Sequence, residues 1–124
     1  MTANPATVQA DETLAVAKLK MVGGGFRRVP VLDGEKPVGI LSEYDVRNYE
    51  SCLGSTLVRT AMSGNPVIVS PFDTREHAAT LLQKHNIGAV LVVENGKLIG
   101  IATARDLWMA EPRPLPSWTP GTRR

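Results

Sequence analysis

Two stretches of the chain pair a hydroxyl with a carboxylate three residues later, in one repeated heptapeptide. They are GILSEYD at Gly39 to Asp45 and GIATARD at Gly100 to Asp106. Two chemistries are open to such a pair. The first is local: Ser42 with Asp45, and Thr103 with Asp106, have the spacing of a capping box. There the hydroxyl accepts from an N–H of the first helical turn and the carboxylate reaches back to the capping residue, a cap worth about 1 kcal/mol. The second is recognition. The N–H groups and partial positive charge of a helix start attract phosphate, and a hydroxyl there can donate to a phosphate oxygen. A carboxylate one turn later offers two oxygens to the neighbouring hydroxyls of a ribose, as acidic residues do in dinucleotide folds. The glycine that opens each heptapeptide would leave room for a ligand close to the backbone.

These motifs close a longer repetition. Asn4-Pro5 matches Asn65-Pro66, Val8 matches Val69, Thr13 matches Thr74, Ala17 matches Ala78 and Val31 matches Val92, each 61 positions apart. Lys36 with Lys97 and Glu50 with Glu111 extend the same register without a gap. A constant offset along the chain marks an internal duplication.

Each copy opens with a short extended piece after Asn-Pro, because proline disfavours helix for the residue before it. A helix follows. In the second copy Asp73 and Glu76 are placed to form a capping box, with Ala78, Leu81, Leu82 and His85 on one face. In the first copy Leu14, Ala17, Leu19 and Met21 are the apolar positions, and Gly23 to Gly25 end the helix. Two apolar runs then flank Asp33-Gly34 in one copy and Asn95-Gly96 in the other, which predicts hairpins. The heptapeptide passes into a closing helix, EYDVRNY or ARDLWMA. The expected fold is α/β: two pseudo-symmetric strand–helix–strand–strand–helix repeats packed sheet to sheet, since one copy alone would bury too little apolar surface. The boundaries expected are 1–50 for the first repeat, 51–64 for a linker with a helical turn near Leu57 to Met62, and 65–111 for the second repeat. A tail over 112–124 holds Pro112, Pro114, Pro116 and Pro120, a composition for flexible or extended chain.

Composition narrows the function classes. The net charge of +2 argues against nucleic acid or an anionic membrane as partner. No apolar run approaches the roughly 20 residues that span a bilayer, and no signal-peptide pattern opens the chain. A single cysteine, Cys52, excludes an internal disulfide framework and makes the cytoplasm the expected setting. With aromatics at 5%, the core must be aliphatic, and association with a second copy would help it. His77 and His85 have no companion ligands to complete a metal set. Cys52 has no neighbouring histidine in sequence, and Gly23 to Gly25 lack the Gly-Lys-(Ser/Thr) ending of a phosphate loop. Trp108 and Met109 are expected in a core or a dimer interface. No acid–base or nucleophile–base constellation is present at credible spacing, so no enzyme is expected.

The order NPATVQADETLAVA, FRRVPVLD, KPVGILSEYD, then NPVIVSPFDTREHAATLL and NIGAVLVVENGKLIGIATARD resembles a tandem pair of cystathionine β-synthase (CBS) domains, a Bateman module, from Met1 to Glu111. The resemblance implies a regulatory module whose clefts bind adenosine-containing ligands: AMP, ADP, ATP or S-adenosylmethionine. It implies Asp45 and Asp106 at ribose hydroxyls, and Ser42 and Thr103 facing phosphate. It places adenine in apolar pockets lined near Thr7-Val8 and Ile68-Val69, with backbone groups reading its edge. Arg105 and Arg28 are the basic residues that such pairs turn toward phosphate, whereas their counterparts are Tyr44 and Ala89, and Glu43 would repel a polyphosphate. The cleft with Thr103, Arg105 and Asp106 is therefore the favoured phosphate site. The resemblance also implies a homodimer and an effector protein of unknown identity. The alternative is a ligand-free structural or dimerisation module.

Overall fold

The structure, a computed structural model, describes residues 2–3 and 5–103. The expected closing helix ARDLWMA, with Arg105, Asp106, Trp108 and Met109, and the proline-rich tail lie outside the described residues. The described chain divides into two units, Ala6–Pro66 and Val67 onward, the latter joined by the N-terminal residues up to Pro5.

In the first unit, β2 (Val8–Gln9) leads to α1 (Leu14–Gly24), then to the hairpin β3 (Arg28–Asp33) and β4 (Lys36–Ser42), and on to α2 (Glu43–Arg47). Thr13 caps α1, its hydroxyl accepting from Val16 N–H at 3.3 Å. At the other end Gly25 takes a left-handed φ of 71°. Gly25 N–H then donates to Val22 C=O and Phe26 N–H to Met21 C=O, the paired bonds of a Schellman ending. The turn between β3 and β4 is Gly34-Glu35, one residue later than the sequence suggests, and only Gly34 has positive φ. After α2, a 3-10 stretch at Glu50–Ser55, kinked at Cys52, and α3 (Val58–Ala61) are laced to the loop before α1. Leu14 N–H donates to Thr56 C=O, Val58 N–H to Glu12 C=O and Arg59 N–H to Ala10 C=O, so the expected linker is part of this unit.

The second unit repeats the pattern with β6 (Ile68–Val69), α4 (Arg75–His85), β7 (Ala89–Glu94) and β8 (Lys97–Thr103). The predicted Asp73–Glu76 capping box does not form. Helix α4 starts one residue later, with Thr74 as cap accepting from His77 N–H at 3.1 Å. Asp73 instead accepts from Ser70 N–H at 2.8 Å, as Glu12 does from Gln9 N–H in the first unit. Asn86, left-handed at φ 53°, replaces Gly25 as the helix stop, and Ile87 N–H bonds Leu82 C=O as Phe26 bonds Met21. Asn95 and Gly96 both have positive φ, as a two-residue type I′ turn requires. Both hairpins shift register at matched positions, between Val31 and Leu32 and between Val92 and Val93.

Each unit has an aliphatic core among its described residues. Val8, Leu14, Ala17, Met21, Val29, Val31, Leu41 and Val58 form one; Val69, Ala78, Leu82, Val90, Val92 and Ala102 form the other. Leu19, grouped with the apolar positions of α1, is 75% exposed. On α4, Ala78 and Leu82 are buried and Leu81 is half-buried, while His85 is exposed. Pro30 sits at the position of Leu91, whose N–H donates to Val67 C=O; with no N–H, Pro30 cannot make that rung.

The sheets carry strands that the sequence pattern does not announce. The order in the first unit is β2-β3-β4-β5, where β5 (Ser63–Gly64) pairs antiparallel with Ile40 and Gly39. The order in the second is β1-β8-β7-β6, where β1 (Thr2–Ala3) pairs with Ile101 and Gly100 in the matching register. The two-residue strand preceding each repeat thus extends the sheet of the other repeat. The chain changes units just after each Asn-Pro pair, at Pro5/Ala6 and Pro66/Val67.

Gly39 is where β5 comes closest. A Cβ built there would lie 2.6 Å from Met62 Sδ and 2.6 Å from Ser63 C=O. The room expected for a ligand beside this glycine is filled by protein. Gly39→Ala is expected to lower stability by about 1–3 kcal/mol in urea denaturation, the cost of overpacking. Gly54→Ala, whose Cβ would meet nothing within 4 Å, serves as control. A Gly39 variant as stable as the parent would show that this approach does not constrain the sheet.

Candidate functional site

The first heptapeptide ends β4 and begins α2. Ser42 is extended (φ −108°, ψ 166°), the conformation of a cap, and the capping box is complete. Asp45 N–H donates to Ser42 Oγ at 3.2 Å, and Ser42 N–H donates to Asp45 Oδ2 at 2.8 Å. The local chemistry of the motif is therefore realised. It does not exhaust these groups. Among the described residues, no hydrogen bond uses the Ser42 O–H as donor or Asp45 Oδ1 as acceptor. Both residues are half-buried.

Arg28, the first residue of β3, is the cross-strand partner of Ser42 and is half-buried. Side chains directly opposite on antiparallel strands have Cβ atoms about 5 Å apart, so the hairpin brings Arg28, Ser42 and Asp45 to one end of the sheet. Arg27 does not join them: it is 81% exposed and faces Glu43, with Nε 3.8 Å from Oε2. Glu43 also accepts from Arg47 Nη2 at 3.2 Å, and the Arg47 guanidinium lies 5.2 Å from the Tyr44 ring centroid. The carboxylate expected to repel a phosphate is thus flanked by two guanidiniums.

Strand β2 lies beside β3 with Val8 opposite Val31, and β6 beside β7 with Val69 opposite Val92. The side chains of Val8 and Val69 are 1% and 2% exposed and belong to the unit cores, because alternate strand residues point to opposite faces. Thr7 is half-buried and Ile68 is 48% exposed, so these are the accessible side chains, and Val8 and Val69 have only backbone to offer.

In the second unit Thr103 ends β8 as Ser42 ends β4, half-buried and opposite Ala89. Arg105 and Asp106 lie outside the described residues. His77 and His85 are exposed, and no group of three or more metal-ligating side chains occurs among the described residues. Cys52 is half-buried beside Thr56, whose hydroxyl donates to its carbonyl at 2.8 Å and lies 3.3 Å from its sulfur. No described helix is long and apolar enough to cross a membrane.

The Gly39 contact and the glutamate–aspartate match at Glu12 and Asp73 escape sequence reasoning. The offset of 61 aligns Glu12 with Asp73, and their shared acidity was the available signal.

Comparison with known proteins agrees with this architecture. The model of the CBS domain family matches twice, at residues 1–51 and 58–107. An inosine-5'-monophosphate dehydrogenase of Korarchaeum cryptofilum is 35% identical over 109 residues, 87% of this chain and 22% of the enzyme. The chain thus spans about a fifth of the length of such relatives. A CBS domain-containing protein of Dictyostelium discoideum is 31% identical, with 82% of this chain and 80% of that protein covered. Among solved structures, the plant protein CBSX2 in complex with AMP superposes with a TM-score of 0.72 at 27% identity, over 88% of this chain and 90% of that one. A putative acetoin utilization protein from Vibrio cholerae gives 0.74 at 31% identity, over 88% and 84%.

The two bonds of the capping box are reciprocal, so their loss should not add. Ser42→Ala and Asp45→Ala are each expected to cost about 0.5–2 kcal/mol. The double variant should cost less than the sum, with a coupling above about 0.5 kcal/mol in a double-mutant cycle of urea unfolding. Additive losses would mean that the two bonds act separately.

Proposed function

The chain belongs to the CBS domain family, and on that premise we propose that its repeats form a regulatory module that binds an adenosine-containing nucleotide. AMP or ATP is the favoured ligand, with S-adenosylmethionine as a further candidate. Asp45 and Asp106 receive ribose hydroxyls. Ser42 and Thr103 face phosphate, with Arg28 and Arg105 supplying positive charge. Adenine rests near Thr7 and Ile68, and the Val8 and Val69 backbones read its edge. The ligand signals only by binding one arrangement of the protein more tightly than another. Its output passes to an effector protein or through a homodimer, and Val16 and Leu19, 39% and 75% exposed on α1, are the apolar pair such a dimer would cover. The setting proposed is the cytoplasm, and the module is a binder, not a catalyst.

The observation that carries this reading is the AMP complex of CBSX2, a relative of the same fold across 88% of this chain. The geometry at Ser42 and Asp45 is compatible with it, since the cap leaves one oxygen and one hydroxyl proton for a ligand.

One finding favours the second reading, a scaffold without a ligand. Every distinctive residue of GILSEYD already has structural work: Gly39 admits Met62 and Ser63, while Ser42 and Asp45 cap α2.

Thermal melting with AMP, ATP and S-adenosylmethionine separates the two. At a ligand concentration 100 times Kd the module should gain about 2.7 kcal/mol, and Asp106→Ala should remove that gain without loss of fold. A chain whose melting no adenosine compound shifts is a scaffold. A shift that survives both Asp45→Ala and Asp106→Ala places the ligand elsewhere.

A further inference from the structure

We propose that the first unit reads a 6-oxopurine base, as in inosine or guanine nucleotides, while the second keeps adenine, and that Lys20 sets the difference. The inference rests on the nucleotide reading above and names the base at one of its two sites.

The strand ladder decides which backbone groups are free to read a base. β2 and β3 pair with Val8 opposite Val31 and Gln9 opposite Leu32, and Ala10 N–H donates to Leu32 C=O. Along a strand, alternate residues turn their backbone groups to the same neighbour. Ala10 and Val8 therefore face β3, while Thr7 and Gln9 face the open side. Gln9 N–H does point that way, donating to Glu12 Oε1 at 2.8 Å. In the second unit Leu91 N–H donates to Val67 C=O, which turns Ile68 outward in the same manner. The groups left for a base are those of Thr7 and Ile68, which moves the backbone contact one residue ahead of each valine.

An outward-facing residue of a strand offers an N–H donor beside a C=O acceptor. That pair matches adenine, whose N1 accepts and whose N6 amino group donates. Ile68 presents it unaltered, because the residue that corresponds to Lys20 in the second repeat is Leu81, which has no donor. Thr7 does not. Lys20 Nζ lies 3.4 Å from Thr7 C=O and 3.4 Å from Glu12 Oε1. The carbonyl that would accept the amino group thus already faces an ammonium. Among the described residues no hydrogen bond uses Thr7 N–H. An ammonium has three donors and no acceptor; with two engaged, one remains beside Thr7 N–H, and at 44% exposure Lys20 is open to a ligand. Two adjacent donors call for two adjacent acceptors. O6 and N7 of a 6-oxopurine are such a pair, whereas adenine sets an amino group beside its N7.

The lysine does not stand alone. Glu12 holds both Lys20 and Gln9 N–H, and the Gln9 side chain clamps the hairpin turn. Its Nε2 donates to Gly34 C=O and its Oε1 accepts from Gly34 N–H, both at 3.0 Å. In the second unit Ser70 stands in place of Gln9, and its hydroxyl accepts from Phe72 N–H instead. The network that fixes the Thr7 end of β2 is particular to the first unit.

AMP and IMP test this, since they share ribose and phosphate and differ at position 6 of the base. Titration calorimetry on the full chain carrying Asp106→Ala, which removes the ribose carboxylate proposed for the second unit, isolates the first. IMP should bind there about tenfold tighter than AMP. Lys20→Met, at an exposed position, should erase or invert that preference, and Lys20→Arg, which keeps a cation, should retain it. A lysine that merely anchors β2 would weaken both nucleotides alike when replaced and leave their ratio unchanged; that result overturns the proposal. So does an Asp106→Ala chain that prefers AMP, or that binds neither nucleotide while the parent binds one, and in both cases the nucleotide reading survives. A parent chain that binds no purine nucleotide ends both.

Discussion

The passage of Met62 and Ser63 across Gly39 is the contact on which the first unit is organised. β5 is two residues long and contributes little surface of its own, yet it occupies the outer edge of β4 immediately before the strand delivers Ser42. An open strand edge would present unpaired N–H and C=O groups to any other chain. A short strand laid at that edge closes it, and a side chain at position 39 would hold it off. β1 meets Gly100 in the equivalent register, so the same closure protects β8 before Thr103. Both candidate binding motifs are thus mounted on strands whose outer edges are sealed by chain from beyond the repeat.

That mounting changes the meaning of the heptapeptide. Glycine, hydroxyl and aspartate looked like three parts of a ligand site. In the first unit they are also three parts of a joint: glycine receives the sealing strand, and the hydroxyl and carboxylate turn β4 into α2. Capping and recognition are compatible because a carboxylate has two oxygens and a hydroxyl both donates and accepts. A rigid joint presents its spare oxygen and proton in a fixed direction, which lowers the ordering cost of recognising a ligand. Repetition of the motif is therefore weaker evidence for a ligand than its chemistry suggests, and stronger evidence for a shared way of ending a sheet.

Much of this was legible in the amino-acid order because the underlying physics is local. The offset of 61, the hairpin turn at Asn95-Gly96, the stop at Gly25 and the capping box at Ser42 each depend on residues a few positions apart. What escaped depends on distant neighbours. Nothing near Gly39 in sequence announces Met62, and nothing near Thr2 announces β8, because strands of two residues have no periodicity to read. Strand-face alternation sends the Val8 and Val69 side chains inward, which two-residue strands are too short to announce. The cap of α4 slipped by one residue because Asp73 and Thr74 are both good caps, and Asp73 was engaged by the loop behind it.

The crossed leading strands bear on how such a chain arises. A forerunner containing one repeat could make the same pairing only with a twin molecule, each lending its first residues to the other, so its folding would have depended on protein concentration. Here lender and borrower share one polypeptide, where the effective concentration of a short tether is of millimolar order. The chain changes units just after its two Asn-Pro pairs. Once the pairing is internal, the two copies are free to diverge, one keeping Tyr44 where the other carries Arg105, without either losing the strand that completes it.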